Sequence, residues 1–490
     1  MFFNSFVFYF FLIVVLAGYQ AMPTRRSKAW LLLGASYVFY GYWDWRFTPL
    51  LAIPTLVDFV VAKNLGRTED PSARRRWLGI SLAVNLGVLG FFKYFNFFAD
   101  GVRASAGALG LHLDFLHLQV LLPLGISFYT FRTLSYTIDV YRRRLAPTSS
   151  LLDYALFVAF FPNLVAGPID RASSILPQIA ALKRATKEQV NEGMALIVLG
   201  LFRKVLIGDA AGRFVDNLFG QPELYRSPEL LAGLFLFSIQ VYADFSGYSD
   251  IARGVAKLFG VELMKNFEQP YFARSFSEFW RRWHISLSSW IWDYVFNPLM
   301  SALLRRVSRW NLPSPQHEMR LVYPVAAVAT MVLCGLWHGA GIAFLVWGAI
   351  HGVCLAVERL AYGSKAIPMR PKARNLRAGV RLTLGWFSTQ SVVVFAWLLF
   401  RTGSLDAAGD YLRHIVHWES SELAGRFLGA VLWFGTVLLA LDAAEYATQG
   451  HAFLLRLRPP VAVGISAAVL VVVVLYMATT KPMPFVYFQF

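Results

Sequence analysis

Two histidines stand out in a chain otherwise built for lipid. His284 lies in Phe279-Trp280-Arg281-Arg282-Trp283-His284-Ile285-Ser286-Leu287. His338 lies in Gly335-Leu336-Trp337-His338-Gly339-Ala340-Gly341, inside an apolar run from Leu321 to Val357. A titratable side chain at membrane depth is costly, and it marks a functional cavity by default. Burial disfavours the charged imidazole, so a buried histidine stays available as a base near neutral pH. His338 is therefore the expected general base for a hydroxyl, with Trp337 beside it. Gly339 and Gly341 would let other backbone, or a thin substrate, approach closely. The alternative for His338 is an interhelical hydrogen bond that only holds helices together. His284, flanked by arginines and tryptophans, reads equally well as an interfacial residue or a second functional histidine.

Two further polar clusters are candidates for lining or orienting such a site. Gln240 to Asp250 closes an apolar segment with Tyr242, Asp244 and Ser246. Asp244 or Asp250 could orient an imidazole or hold an arginine, or could simply cap a helix. Ser135 to Arg142 places Tyr136, Asp139 and Arg142 near a helix end, where a salt-bridged boundary is the plainer reading. Neither a P-loop nor a GxSxG elbow occurs. Cys334 and Cys354, the only cysteines, sit in apolar segments without metal-ligand spacing. They read as small core residues, so no disulfide and no metal is expected. A histidine base acting without an enzyme nucleophile is the simplest chemistry available.

The elements that must position these groups are membrane helices. Of 490 residues, 57% are hydrophobic, 16% aromatic and only 15% charged. Soluble domains carry roughly 25% charged residues. The apolar runs are long and continuous, which disfavours a membrane β-barrel. The net charge of +17 gathers in short loops between apolar runs, as the positive-inside rule expects, and does not indicate nucleic acid. Some of those cations could attract an anionic cytosolic donor. Spans are expected near 3–22, 29–43, 46–62, 78–98, 119–140, 151–167, 190–208, 229–247, 286–304, 321–337, 341–359, 382–400, 424–442 and 460–479. Allowing for re-entrant pieces, this predicts about 11 to 14 membrane segments. The basic loops 63–77, 141–150 and 359–381 are expected inside, and the N-terminus outside without a cleaved signal. His112, His117, His414 and His417 are then expected in outer loops. Pro162, Gly167, Pro168 and Pro177 should break any helix across 159–178. The stretch 244–298 looks too polar to span and predicts amphipathic helices on the cytosolic face. No repeat or soluble domain is visible, so residues 1–490 are expected to form one membrane unit.

Several blocks in register resemble the membrane-bound O-acyltransferase family, in its bacterial branch of alginate O-acetylation and teichoic acid D-alanylation type. They are Phe92 to Phe97, Leu122 to Phe131, Phe161 to Pro168, Tyr242 to Asp250, Phe279 to Leu287, Leu336 to Gly339 and the terminal Pro484 to Phe490. The blocks cover most of residues 30–355, and roughly three further membrane segments at about 380–490 resemble the alginate type. The resemblance implies an all-α helical bundle with a funnel or tunnel. His338 falls on the family's catalytic histidine and His284 on its second histidine. It implies a cytosolic acyl thioester donor, acetyl-CoA or a carrier-protein thioester, with no permanently bound cofactor. It also implies an exported polysaccharide acceptor, a periplasmic or membrane-anchored acetyltransferase partner, and the bacterial inner membrane. Alginate is the expected polymer, with cellulose, peptidoglycan or teichoic acid as alternatives. A transporter or flippase is the competing class, since it too uses broken helices and intramembrane histidines.

Overall fold

A computed structural model describes residues 1–111, 121–310, 312–363 and 375–488. The described residues are helical and irregular, with no strand among them. Expected features at His112 and His117, and much of the basic 359–381 loop, lie outside them. The chain divides into two units, Met1–Ile197 with Tyr248–Met264, and Val198–Gly247 with Lys265–Phe490.

The first unit holds α1 (Phe6–Ala21), α2 (Arg25–Asp44), α3 (Thr48–Arg67), α4 (Pro71–Leu89), α5 (Phe95–Ala108), α6 (Ile126–Tyr141), α7 (Leu151–Ala159), α8 (Phe161–Leu164) and α9 (Ala172–Ala180). Helix α10 (Lys187–Leu201) runs from it into the second unit. The second unit contributes α11 (Ala210–Gly220), then the first part of α12 (Ser227–Leu258), which ends in the first unit. It continues with α13 (Phe276–Arg282), α14 (Ile285–Ile291), α15 (Asn297–Val307), α16 (Pro315–His338), α17 (Ile342–Tyr362), α18 (Leu376–Thr402), α19 (Leu405–Val416), α20 (Ala424–Thr448) and α21 (Pro459–Thr479).

Among the described residues, 8 helical stretches are long and apolar enough to cross a membrane. One is the run from Arg25 to Arg67, which joins two expected spans; another is Pro71–Ala108. The others are α12, α16, α17, α18, α20 and α21. The remaining expected segments are shorter or broken helices. Helix α21 is apolar all round, and Val463, Val471, Val474 and Leu475 are exposed, as a lipid-facing helix requires.

In the first unit, polar groups tie the helices together. Asp58 of α3 accepts from Ser81 Oγ at 2.5 Å and Asn85 Nδ2 at 2.8 Å on α4. Asn85 Oδ1 in turn accepts from Thr133 of α6 at 2.7 Å. In a low-dielectric interior such pairs hold helices because the alternative is an unsatisfied polar group. Arg74, expected in a basic loop, is instead a buried clamp on α4. Its guanidinium donates to the carbonyls of Leu65 and, at 2.8 Å, Tyr141.

The break expected across 159–178 is present. Pro162 lies in the first turn of α8, the chain is irregular from Val165 to Arg171, and Pro177 is accommodated inside α9. Irregular backbone at membrane depth is tolerated when protein satisfies it. Phe161 N donates to Ser36 Oγ at 3.1 Å, and Arg132 donates to Asn163 Oδ1 at 2.7 Å. Asn163 donates to Asp170 at 3.0 Å, and Asp170 also accepts from Met264 N at 2.8 Å. Burial pushes the Asp170 carboxyl up to about 6. Gly125, just before α6, has a φ of 74°, and a Cβ there would sit 2.9 Å from Leu164 O. Only glycine fits both the left-handed backbone and the contact, which explains why two of the sequence blocks meet here.

Part of the 244–298 stretch, expected to be too polar to span, extends a helix long and apolar enough to do so. Residues 244–258 continue α12, and Asp244, Asp250, Arg253 and Lys257 are buried. The charges are tolerated because they are paired: Lys204 Nζ lies 2.6 Å from Asp244 Oδ1, and Arg253 lies 2.9 Å from Asp250. Trp283 and Trp290 are buried as well, while Trp292 remains exposed.

Candidate active site

Helices α16 and α17 form a hairpin in the second unit, turning through Gly339 to Gly341. Their approach requires glycine on both sides. A Cβ on Gly335 would sit 2.0 Å from Phe344 O, and one on Gly348 would sit 2.1 Å from Met331 O. His338 is the last residue of α16 and is 7% exposed. Its ring is packed by Trp337 at 4.8 Å, Trp347 at 5.1 Å, Phe400 at 5.2 Å and Tyr487 at 5.4 Å between centroids. The expected imidazole thus sits in an aromatic cage contributed by α16, α17, α18 and the C-terminal segment.

His284 is fully buried and joins α13 to α14 with a φ of 44°. A bulky residue with left-handed backbone is strained, and such strain concentrates at functional sites. Its ring meets Phe245 at 4.6 Å and Trp337 at 6.2 Å. Burial pushes its pKa down to about 3, so the ring is neutral across the physiological range. Neighbouring bonds fix this corner: Ile285 N donates to Asn266 O at 2.8 Å, and Ser286 Oγ to Asn266 Oδ1 at 2.5 Å.

A cavity of about 890 Å³ lies in the same unit between α13, α14, α15, α16 and α17. Along α16 its wall runs through Met319, Tyr323, Ala327, Thr330 and Cys334. That three-and-four spacing is one helix face, and the next position on it is His338. Along α17 the wall runs through Tyr362, Glu358 and Leu355; the same face continues to His351 and Trp347. Both stripes aim at the caged imidazole, but the lining stops at Cys334, one turn short of it. Trp280 of α13 lines the cavity and touches Trp347 at 5.9 Å and His351 at 5.2 Å. Glu358 fixes α13 by accepting from Phe276 N at 2.7 Å and Ser277 N at 3.2 Å, where a carboxylate favours a helix N-terminus. Arg281 and Arg359 add positive charge to the wall, with Arg359 over the Tyr323 ring at 5.3 Å.

The α12 candidates build a scaffold beside this cage. Tyr242 donates to Asp442 of α20 at 2.9 Å. Asp442 and Glu445 lie 3.4 Å and 2.8 Å from Arg203, which is 1% exposed. Lys204 binds Asp209 at 2.5 Å as well as Asp244. Asp244 also accepts from Val486 N at 2.7 Å, which anchors the segment carrying Tyr487. Ser246 Oγ donates back to Tyr242 O at 2.7 Å. Tyr136 and Asp139 lie in the first unit, where the Tyr136 hydroxyl accepts from Thr148 N at 3.0 Å. His414 and His417 are exposed at the end of α19. Sequence reasoning passed over Arg203 and Lys204, although two cations inside an apolar segment are themselves a signal.

A many-helix membrane protein with a caged histidine one helical turn beyond a cavity is the class that fold and site define. The model of the membrane-bound O-acyltransferase family matches residues 4–312, a stretch that includes His284 and ends before His338. The chain is 37% identical over 444 residues to the probable alginate O-acetylase of Pseudomonas aeruginosa, covering 90% of this chain and 80% of that protein. It is 32% identical over 446 residues to the peptidoglycan O-acetyltransferase of Helicobacter pylori, covering 84% and 79%. It is 26% identical over 292 residues to the teichoic acid D-alanyltransferase of Streptococcus thermophilus, covering 56% and 68%. The chain belongs to the membrane-bound O-acyltransferase family and is an O-acyltransferase.

Proposed function

We propose that the chain moves an acetyl group from a cytosolic thioester toward an exported polysaccharide, with His338 as general base. The donor is acetyl-CoA or a carrier-protein thioester, and alginate is the favoured polymer because of the alginate O-acetylase relatives. The observation that carries this reading is the cavity whose α16 lining ends at Cys334, one turn before His338 on the same helix face. Arg281 and Arg359 on its wall suit an anionic donor, and the basic loops support a cytosolic opening.

In the reaction, His338 takes the proton of an acceptor hydroxyl as its oxygen attacks the thioester carbonyl carbon. The C–S bond then breaks, and the thiolate recovers the proton from the imidazolium. Such base catalysis contributes about 10²–10⁴-fold, and holding the two substrates together adds to it. Trp280 of the cavity wall contacts Trp347, and Trp347 contacts His338, so one aromatic step separates the cavity from the imidazole. His284 supports the cage through Trp337. The setting is a bacterial inner membrane, and a periplasmic or membrane-anchored partner passes the acetyl group to the polymer.

Mass spectrometry of the exported polysaccharide tests this reading. Deleting the gene should remove O-acetyl esters, and a plasmid copy should restore them. Unchanged acetylation, or solute uptake by purified protein without thiol release, would favour a transporter.

A further inference from the structure

A further cavity lies within the first unit, and the reaction above does not use it. It is a groove of about 510 Å³ between α2, α3 and α7. Along α2 its wall runs through Arg26, Trp30, Leu33 and Tyr37, a three-and-four spacing that marks one helix face. Leu56 of α3 and Ala155 of α7 face it from the other helices. Thr55 also lines the groove, but its hydroxyl already donates to Leu51 O at 2.6 Å. A hydrocarbon chain beside it therefore leaves no donor unsatisfied.

Charge gathers at one end of this groove. Arg25 is paired with Asp153 of α7 and also reaches Ile179 O at 3.4 Å. That pair places the start of α7, with Ser150, at the same end. Arg26 is exposed and has no ion pair or hydrogen bond among the described residues. Trp30, one turn further along α2, is 55% exposed, which suits an indole at headgroup level. From Arg26 to Tyr37 the face extends about 16 Å at 1.5 Å of rise per residue. That is close to half of a hydrocarbon core about 30 Å thick, the depth of one leaflet.

We propose that this groove holds one anionic phospholipid, with its phosphate on Arg26 and one acyl chain along Trp30, Leu33 and Tyr37. Length and charge together select that ligand. The apolar face is as deep as a single acyl chain reaches below its own headgroup. Asp153 neutralises Arg25, so the mouth keeps the charge of Arg26, and guanidinium binds phosphate well. A zwitterionic headgroup would bring a second cation beside it, which favours a net negative lipid. A free phosphate ion would meet Arg26 alone and gain nothing from the apolar face.

Native mass spectrometry of the purified full-length protein in detergent tests the proposal. The probes are phosphatidylglycerol and phosphatidylcholine with the same acyl chains, each titrated separately. Wild type should retain its first phosphatidylglycerol at a lower concentration than its first phosphatidylcholine. Arg26→Gln alters only an exposed side chain. It should weaken phosphatidylglycerol retention about fivefold, the effect of one cation near a headgroup, and leave phosphatidylcholine unchanged. Leu33→Trp, which fills the groove, should weaken retention of both lipids. Equal retention of the two lipids by wild type would overturn the proposal. So would an unaltered preference in Arg26→Gln. Undiminished phosphatidylglycerol retention by a folded Leu33→Trp protein would also overturn it, because the phosphate would then bind without the groove.

Discussion

The ring of His284 lies 6.2 Å from the indole of Trp337, and that indole packs against His338 at 4.8 Å. One buried tryptophan therefore separates the two histidines and sets the attitude of both. Replacing Trp337 by Ala should cost about 3–5 kcal/mol of stability, as for other buried aromatic truncations. Trp337→Phe should keep the fold and lose turnover moderately. Thermal unfolding in detergent, run beside a thiol-release assay, checks the pair.

Backbone and ring at His284 can be tested separately. Its φ of 44° is tolerated by Asn and opposed by β-branched residues. His284→Asn should fold close to normally, whereas His284→Val should lose a further 1–3 kcal/mol, roughly the strain of such a position. Equal melting temperatures for the two variants would show that the backbone there is relaxed.

The same residue predicts a pH effect. Burial holds native His284 near a pKa of about 3, while an unfolded histidine titrates near 6.5. Between those values the unfolded chain binds the extra proton, so stability falls as pH drops below about 6.5. The His284 contribution amounts to at most about 1.4 kcal/mol per pH unit within that window. Asp170, raised to about 6, works in the opposite sense, because its native form keeps a proton that the unfolded form releases. The comparison of wild type with His284→Asn isolates the histidine: the variant should melt with a shallower acid dependence.

Arg203 faces two buried carboxylates, Asp442 and Glu445. Arg203→Met would leave them without a cation, at a cost of about 3–5 kcal/mol. Adding Glu445→Leu should recover part of that loss. A double variant no better than the single one in thermal unfolding would mean that Arg203 acts through packing alone.

Much of this was legible before the structure. Long apolar runs marked α12, α16, α17, α18, α20 and α21, because a bilayer admits little else. His338 stood out because a titratable group interrupts such a run. Tertiary pairing was not legible. The segment around Asp244 read as too polar to span, since its partner Lys204 lies on another element. The cage of Trp347, Phe400 and Tyr487 around His338 left no mark, because aromatic residues are common throughout this chain.

If the caged imidazole of His338 carries out acyl transfer, its removal must suppress thiol release. Thiol release from acetyl-CoA, or from an acetylated carrier protein, measured with purified protein and an acceptor, tests it most directly when wild type is set against His338→Ala. His338→Ala should lose at least about 10²-fold while still folding and inserting. Undiminished release by a well-folded His338→Ala protein would contradict it.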